Sequence, residues 1–231
     1  MAIKQKIANT QDNYRVFGLI AGPAGVGKTT LLSQFPIEET LGVSVEDGFL
    51  SIAGCGVNYL EIEDYNDLIA ILEKEIYKHK NVKYLFIDSL SEVYALLRRE
   101  LGQKYTAKQN FAKFDEMQDK MFYAIRLARK LLHLNVYFTC HTKEEKSGMV
   151  LEENLAFQGQ MPEDLKKQFD IVLHMKDVDF AENGGVQKVF ITNSSISKVA
   201  KARVSPWLGV QVADYELPNL YNLTLKLMGK Q

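Results

Sequence analysis

The sequence predicts an α/β fold: a mostly parallel central sheet flanked by helices, with a C-terminal antiparallel hairpin. Three observations carry this expectation. Short apolar runs alternate with segments of helical periodicity along the 231 residues, the pattern of strand–helix–strand units. Two runs, "VKYLFIDS" (82–89) and "LNVYFTCHT" (134–142), are apolar almost throughout, as in strands covered on both faces. Finally, "GPAGVGKTT" (22–30) matches G-x-x-x-x-G-K-[ST] between a strand pattern and a helical one.

The elements follow in order. "RVFGLIAG" (15–22) predicts the first strand, and "KTTLLSQF" (28–35) a helix stopped by Pro36, because proline cannot continue it. "LGVSVED" (41–47) is a second strand and "NYLEIE" (58–63) a short third. "YNDLIAILEKEIYKH" (65–79) sets Leu68, Ile69, Leu72 and Ile76 at helical spacing, with Asp67 in the first turn. The 82–89 run is the central strand, helices follow over 90–101 and 114–133, and 134–142 is another buried strand. "EDLKKQF" (163–169) is a short helix with Pro162 near its start. "DIVLHMKDV" (170–178) and "VQKVFITN" (186–193) are strands joined by the turn signal "ENGG". No repeat, low-complexity segment or linker divides the chain. One domain over 1–231 is expected, with 1–14 as an N-terminal arm and 206–231 as a C-terminal extension.

Net charge is −1, which excludes a globally basic nucleic-acid binder and confines any such surface to a local patch. Cys55 and Cys140 stand in different segments, neither a disulfide framework nor a zinc spacing. The polar start "MAIKQKIANTQDNYR" lacks the apolar core of a signal peptide. No run reaches the ~20 apolar residues of a membrane helix, so a cytoplasmic protein without membrane partners is expected.

The glycine loop carries the chemistry. Gly22, Pro23, Ala24, Gly25, Val26, Gly27, Lys28, Thr29 and Thr30 form a phosphate cradle of backbone N–H groups at a helix N-terminus. Lys28 serves the β- and γ-phosphates and the Thr29 hydroxyl ligates Mg²⁺. Asp88 ends the apolar "YLFIDS" run, where an acidic residue holds the metal; capping of the next helix is the competing role. Glu46, ending "VSVED", is the candidate for orienting the attacking water, with Asp47 as runner-up. His141 ends its strand on the same edge. Tyr59 and Tyr65 are candidate rings for the nucleotide base.

This ordered set resembles the RecA-like P-loop NTPase core, and more closely the single-domain ATPases of the phage and prophage Sak recombination family. "GPAGVGKTT", "VSVEDG", "LFIDSL", "VYFTCHTKEE" and "QMPEDLKKQFDIVLHM" carry the resemblance over roughly residues 15–205. It implies a catalytic Glu46, an Asp88–Ser89 metal pair and a γ-phosphate sensor at His141. "SKVAKAR" resembles the family's late basic cluster, which implies that Lys201 and Arg203 reach the nucleotide of a neighbouring subunit. The family's usual Lys-Asp-Arg pattern has Ala202 in its middle here. The resemblance further implies ATP and Mg²⁺ as cofactors and single-stranded DNA as partner. It implies a homo-oligomer, ring or filament, and admits a single-strand-binding protein as a further partner. A phage-encoded chain would work in the host cytoplasm.

Residues 98–130 hold nine Lys/Arg against four Asp/Glu. Lys104, Lys108 and Lys113 interleave there with Tyr105, Phe111 and Phe114, cations for phosphates beside rings for bases; a solvated helix with packed rings accounts for the same pattern. The segment sits where RecA-type proteins carry a first DNA loop, and 143–160 would be the second, mobile one. The expected function is a DNA-stimulated ATPase that binds single-stranded DNA and promotes annealing or strand pairing. A small-molecule or nucleotide kinase and a weakly hydrolysing switch adaptor are the alternatives; a kinase lid would carry arginines, and 143–160 has none.

Overall fold

The computed structural model describes residues 14–45, 47–147, 150–180, 185–203 and 212–230. In chain order these give β1 (Phe17–Gly22), β2 (Thr40–Ser44), β3 (Asn58–Glu61), α1 (Tyr65–Glu73), β4 (Tyr84–Asp88), α2 (Leu90–Lys104) and α3 (Asn110–Arg129). Then come β5 (Asn135–Ser147), β6 (Val150–Leu155), α4 (Met161–Gln168), β7 (Ile171–Phe180), β8 (Gly185–Ile191), β9 (Lys201–Ala202), β10 (Tyr215–Glu216) and α5 (Leu220–Leu227).

The sheet runs β10-β8-β7-β1-β5-β4-β2-β3, with β6 on β5 and β9 on β7. From β7 to β3 every pairing is parallel, while β6, β8, β9 and β10 pair antiparallel. This is the α/β architecture of a P-loop NTPase. The apolar runs are continuous because alternate residues serve opposite faces. Leu19, Leu85, Ile87 and Phe138 join the cluster under α1–α4. Ile20, Phe86 and Tyr137 join the opposite cluster, closed by Leu31, Leu32 and Phe35 and by Leu220, Leu223 and Leu227 of α5. The end of the C-terminal extension is thus packed on the sheet.

Three segments differ from expectation. The helix after the glycine loop is a 3-10 helix, Thr29–Gln34: Pro36 forces Phe35 to extended angles (φ −99°, ψ 157°), leaving only six residues. The 65–79 helix ends at Glu73 and resumes as a 3-10 turn over Glu75–Lys78; its start is held by a capping box of Asp64 and Asp67.

The third concerns 143–160. Its first part is no loop but the β5–β6 hairpin, paired from Thr142↔Leu155 to Ser147↔Val150. Two of its four glutamates are paired from outside, Glu153 with Lys176 of β7 and Glu152 with Lys198, each at 2.5 Å.

Candidate functional site

Parallel strands bring their carboxyl ends to one edge, where ligands of such sheets bind. β1 delivers Gly22 there. A Cβ on Gly22 would stand 2.4 Å from the Met175 carbonyl oxygen of β7, so the loop must open on glycine for the strands to approach. Gly25 (φ 76°) and Gly27 (φ 99°) occupy the left-handed region, which lets the loop curl back on itself. Val26 is buried beneath it, Pro23 and Ala24 are exposed, and Thr30 Oγ1 donates to the Gly27 carbonyl (2.6 Å).

Lys28 is only 6% exposed. Its Nζ donates to the carbonyls of Gly22 (2.9 Å) and Pro23 (2.8 Å) and lies 3.3 Å from His141 Nδ1. An ammonium has three donors and no acceptor. Nδ1 therefore accepts, and the His141 ring proton sits on Nε2. Burial pulls Lys28 below the ordinary lysine range. Asp88 opposes that shift at neutral pH, because burial holds the nearby Cys140 thiol protonated up to about 12.

β4 delivers Asp88. Thr29 Oγ1 donates to its Oδ2 at 2.6 Å, and the Thr139 hydroxyl donates to its Oδ1. The competing cap role belongs to the next residue: Ser89 Oγ accepts from the Glu92 amide (3.3 Å) and opens α2. Both Asp88 oxygens are thus left facing hydroxyls, one of them in the loop. The His141 amide donates to Ser91 Oγ (2.8 Å), tying β5 to the start of α2.

The resulting cleft holds about 280 Å³ and is lined by Gly27, Lys28, Thr29, Asp88, Glu92 and His141. Its polar groups include the Lys28 ammonium, the Thr29 hydroxyl, the Asp88 and Glu92 carboxylates and the glycine loop. That set fits a nucleoside triphosphate with Mg²⁺, a hard cation that takes oxygen ligands and keeps waters. When bound, the metal would neutralise phosphate charge; Thr29 and Asp88 would hold it.

Sequence reasoning thus placed Lys28, Thr29, Asp88 and His141 on elements that meet. It missed Thr139, Ser91 and Glu92. Thr139 had one available signal: it precedes His141 by two residues and shares its strand face. Glu46 lies outside the described residues, as does the Asp47 side chain. Tyr65 is no base-stacking ring; it is buried, with its hydroxyl on the Lys120 carbonyl (2.7 Å). Tyr59 is 52% exposed on β3, the edge strand farthest from β1 on its side of the sheet.

Lys201 and Arg203 are not in this cleft. β9 pairs with the amino-terminal part of β7, Val172↔Lys201. Lys201 Nζ donates to the carbonyls of Lys166 and Phe169, both at 2.6 Å, closing the C-terminal end of α4. Burial, with repulsion from Arg203, pulls its pKa down to about 8. Arg203 lines a different cavity with Arg129 and Asp170.

The candidate DNA segment is largely ordered as the end of α2 and the start of α3. Lys104 pairs with Glu116 (2.7 Å) and the Tyr105 hydroxyl donates to the same carboxylate (2.5 Å). Lys108 is exposed, Lys113 half-buried, and Phe111 89% exposed.

A family model described as an AAA domain matches residues 14–204. No curated protein matches the chain. Among the described residues, no helix is long and apolar enough to cross a membrane.

Proposed function

The chain belongs to this AAA-domain family of nucleotide-binding P-loop proteins, and from that premise we propose that it is an ATP-hydrolysing DNA recombination protein of the phage Sak type. In this reading it binds single-stranded DNA as a homo-oligomer and promotes annealing or strand pairing. The observation that carries the ATPase part is the Thr29–Asp88 contact beside Lys28. A loop hydroxyl and a strand-end carboxylate 2.6 Å apart are the two protein groups a phosphate-bound Mg²⁺ needs.

In this mechanism Lys28 exchanges its carbonyl partners for phosphate oxygens, and His141 is released to the γ-phosphate. Glu46 orients the attacking water, with its proton passing to the carboxylate. Arg203 serves a neighbour's site as a charge that is never lost. Lys201 would have to leave two carbonyls to do the same, so it is assigned chiefly to holding the segment that carries Arg203. The DNA part is supported by the basic segment 98–130 with its exposed Phe111.

The test is ATP turnover with and without single-stranded DNA. Stimulation by the strand supports the proposal. Phosphate delivered to a small acceptor would replace it with the kinase reading, and slow turnover indifferent to DNA with the adaptor reading.

A further inference from the structure

The helix that follows the glycine loop has only six residues, Thr29–Gln34. Isolated helices shorter than about 12 residues are marginal in water, so the place of Thr29 is set by what the helix packs against. Its apolar partners include Ile20, Phe86 and Tyr137 of the sheet and, from the far end of the chain, Leu220, Leu223 and Leu227 of α5. The matched family domain ends at residue 204, whereas α5 spans Leu220–Leu227. Part of the support of the loop helix therefore comes from outside that domain.

Two polar contacts fix α5 in place. The first is made by Gln34, the last residue of the loop helix. Its Nε2 donates to the Pro218 carbonyl (2.9 Å) and its Oε1 accepts from the Leu220 amide (2.7 Å). Backbone donors in the first turn of a helix have no partner within it. Asn219 Oδ1 serves the Asn222 amide (2.9 Å), and Gln34 serves Leu220 from 186 positions away. Both ends of one side-chain amide are used, and a reversed amide would set like groups against each other. Beside it, the Phe35 and Tyr221 rings meet edge to face (centroids 5.3 Å apart, 72°).

The second contact reaches β5. Thr224 Oγ1 donates to the Leu220 carbonyl (2.6 Å), which uses its one proton. The Tyr137 hydroxyl therefore donates to Thr224 Oγ1 (2.7 Å), both side chains being fully buried. Tyr137 precedes Thr139 by two residues and His141 by four on the same strand, so the three share a face. α5 is thus joined both to the helix that carries Thr29 and to the strand that carries Thr139. Those two threonines hold the two Asp88 oxygens, Oδ2 and Oδ1. The docking of α5 fixes one threonine relative to the other.

We propose that α5 braces the metal side of the nucleotide site, and that Gln34 and Tyr137 are the positioning residues through which it acts. α5 holds the loop helix against β5, so that the Thr29 hydroxyl stands where it meets both Asp88 and the metal. Neither positioning residue touches the nucleotide. Linkage is reciprocal: a Mg²⁺–nucleotide that fixes Thr29 also tightens the docking of α5. The inference rests on the reading of Thr29 and Asp88 as the holders of Mg²⁺ and is independent of the DNA reading.

The experiment titrates the full chain with a fluorescent, non-hydrolysable ATP analogue, once with Mg²⁺ and once with EDTA. Four proteins are compared: wild type, Gln34→Ala, Tyr137→Phe and Ile125→Val. Gln34 is exposed, and Tyr137→Phe keeps the ring and the Thr224–Leu220 bond. Ile125 is buried in the cluster under α1–α4, so its valine variant controls for lost stability alone. With Mg²⁺, Gln34→Ala and Tyr137→Phe should each weaken binding about 2- to 10-fold, and Ile125→Val should not. With EDTA, where the loop amides and Lys28 bind without the metal, all four should bind alike. Hydrogen exchange of the α5 amides should slow when wild type takes up the Mg²⁺–analogue complex, and slow less in Gln34→Ala. Unchanged Mg²⁺-dependent affinity in either α5 variant overturns the brace, as does an equal loss in EDTA or in Ile125→Val. Wild type that binds the analogue equally with and without Mg²⁺ overturns the metal assignment together with the brace.

Discussion

Thr139→Val isolates the support of the metal-binding carboxylate from everything else in the site. Thr139 is fully buried on β5, between β1, which leads into the glycine loop, and β4, which carries Asp88, and its hydroxyl is the donor to Asp88 Oδ1. Valine matches its shape and removes only that donor. Hydrogen bonds to charged groups contribute about 1.5–3 kcal/mol, and partners of metal ligands alter metal affinity by about 10- to 100-fold. With Oδ1 unpaired, the carboxylate is free to turn and Oδ2 loses its fixed position opposite Thr29. ATPase rates measured across a Mg²⁺ titration should show half-saturation at about 10-fold higher Mg²⁺, and Thr139→Ser should restore most of the loss. Serine keeps the hydroxyl and gives up one methyl, about 0.8 kcal/mol of burial, so its melting temperature should fall while its Mg²⁺ response stays near wild type. An unchanged Mg²⁺ midpoint in Thr139→Val, or a serine variant that responds worse than valine, would refute the positioning argument.

Gly22→Ala would set a Cβ 2.4 Å from the Met175 carbonyl oxygen, a backbone atom that cannot step aside; a loss of about 1–3 kcal/mol is expected in urea unfolding, together with weaker nucleotide binding. His174 is buried with Nδ1 on Ser197 Oγ (2.8 Å) and Glu153 and Lys176 nearby, and burial pulls its pKa down to about 4. The unfolded chain therefore binds more protons between about pH 6.5 and 4, and stability should fall as pH drops through that window. His174→Gln should flatten this slope in pH-dependent melting, an effect of at most about 3 kcal/mol. Lys201, held at about 8, loses its proton as pH rises through that value. If its charge supports turnover, the ATPase rate should fall above about pH 8, and Lys201→Arg, whose guanidinium stays charged, should keep its rate there; an identical alkaline limb in the two proteins would sink that role.

Local pattern made much of this protein legible. The nearly continuous apolar runs marked β4 and β5 as strands covered on both faces, and the "ENGG" signal joined two segments that do pair antiparallel. The hairpin at 142–155 was not legible, because the cations that meet two of its glutamates, Lys176 and Lys198, come from distant positions. The 3-10 form of Thr29–Gln34 follows from the short interval before Pro36, a length effect that helical periodicity does not register.

By itself the sequence determined the strand–loop–helix phosphate motif, the residues at its key positions, and the parallel architecture that sends their strand ends to one edge. These are short-range properties, set by glycine geometry, apolar spacing and proline. Only the tertiary structure decided which residues face one another. It placed β5 between β1 and β4, so that Thr139 supports Asp88, and it gave the helix cap to Ser89. It also drew Lys201 onto the end of α4 rather than toward Lys28. Such contacts join residues up to more than a hundred positions apart, as Lys28 and His141 are. They depend on strand order and register, which no local stretch of sequence encodes.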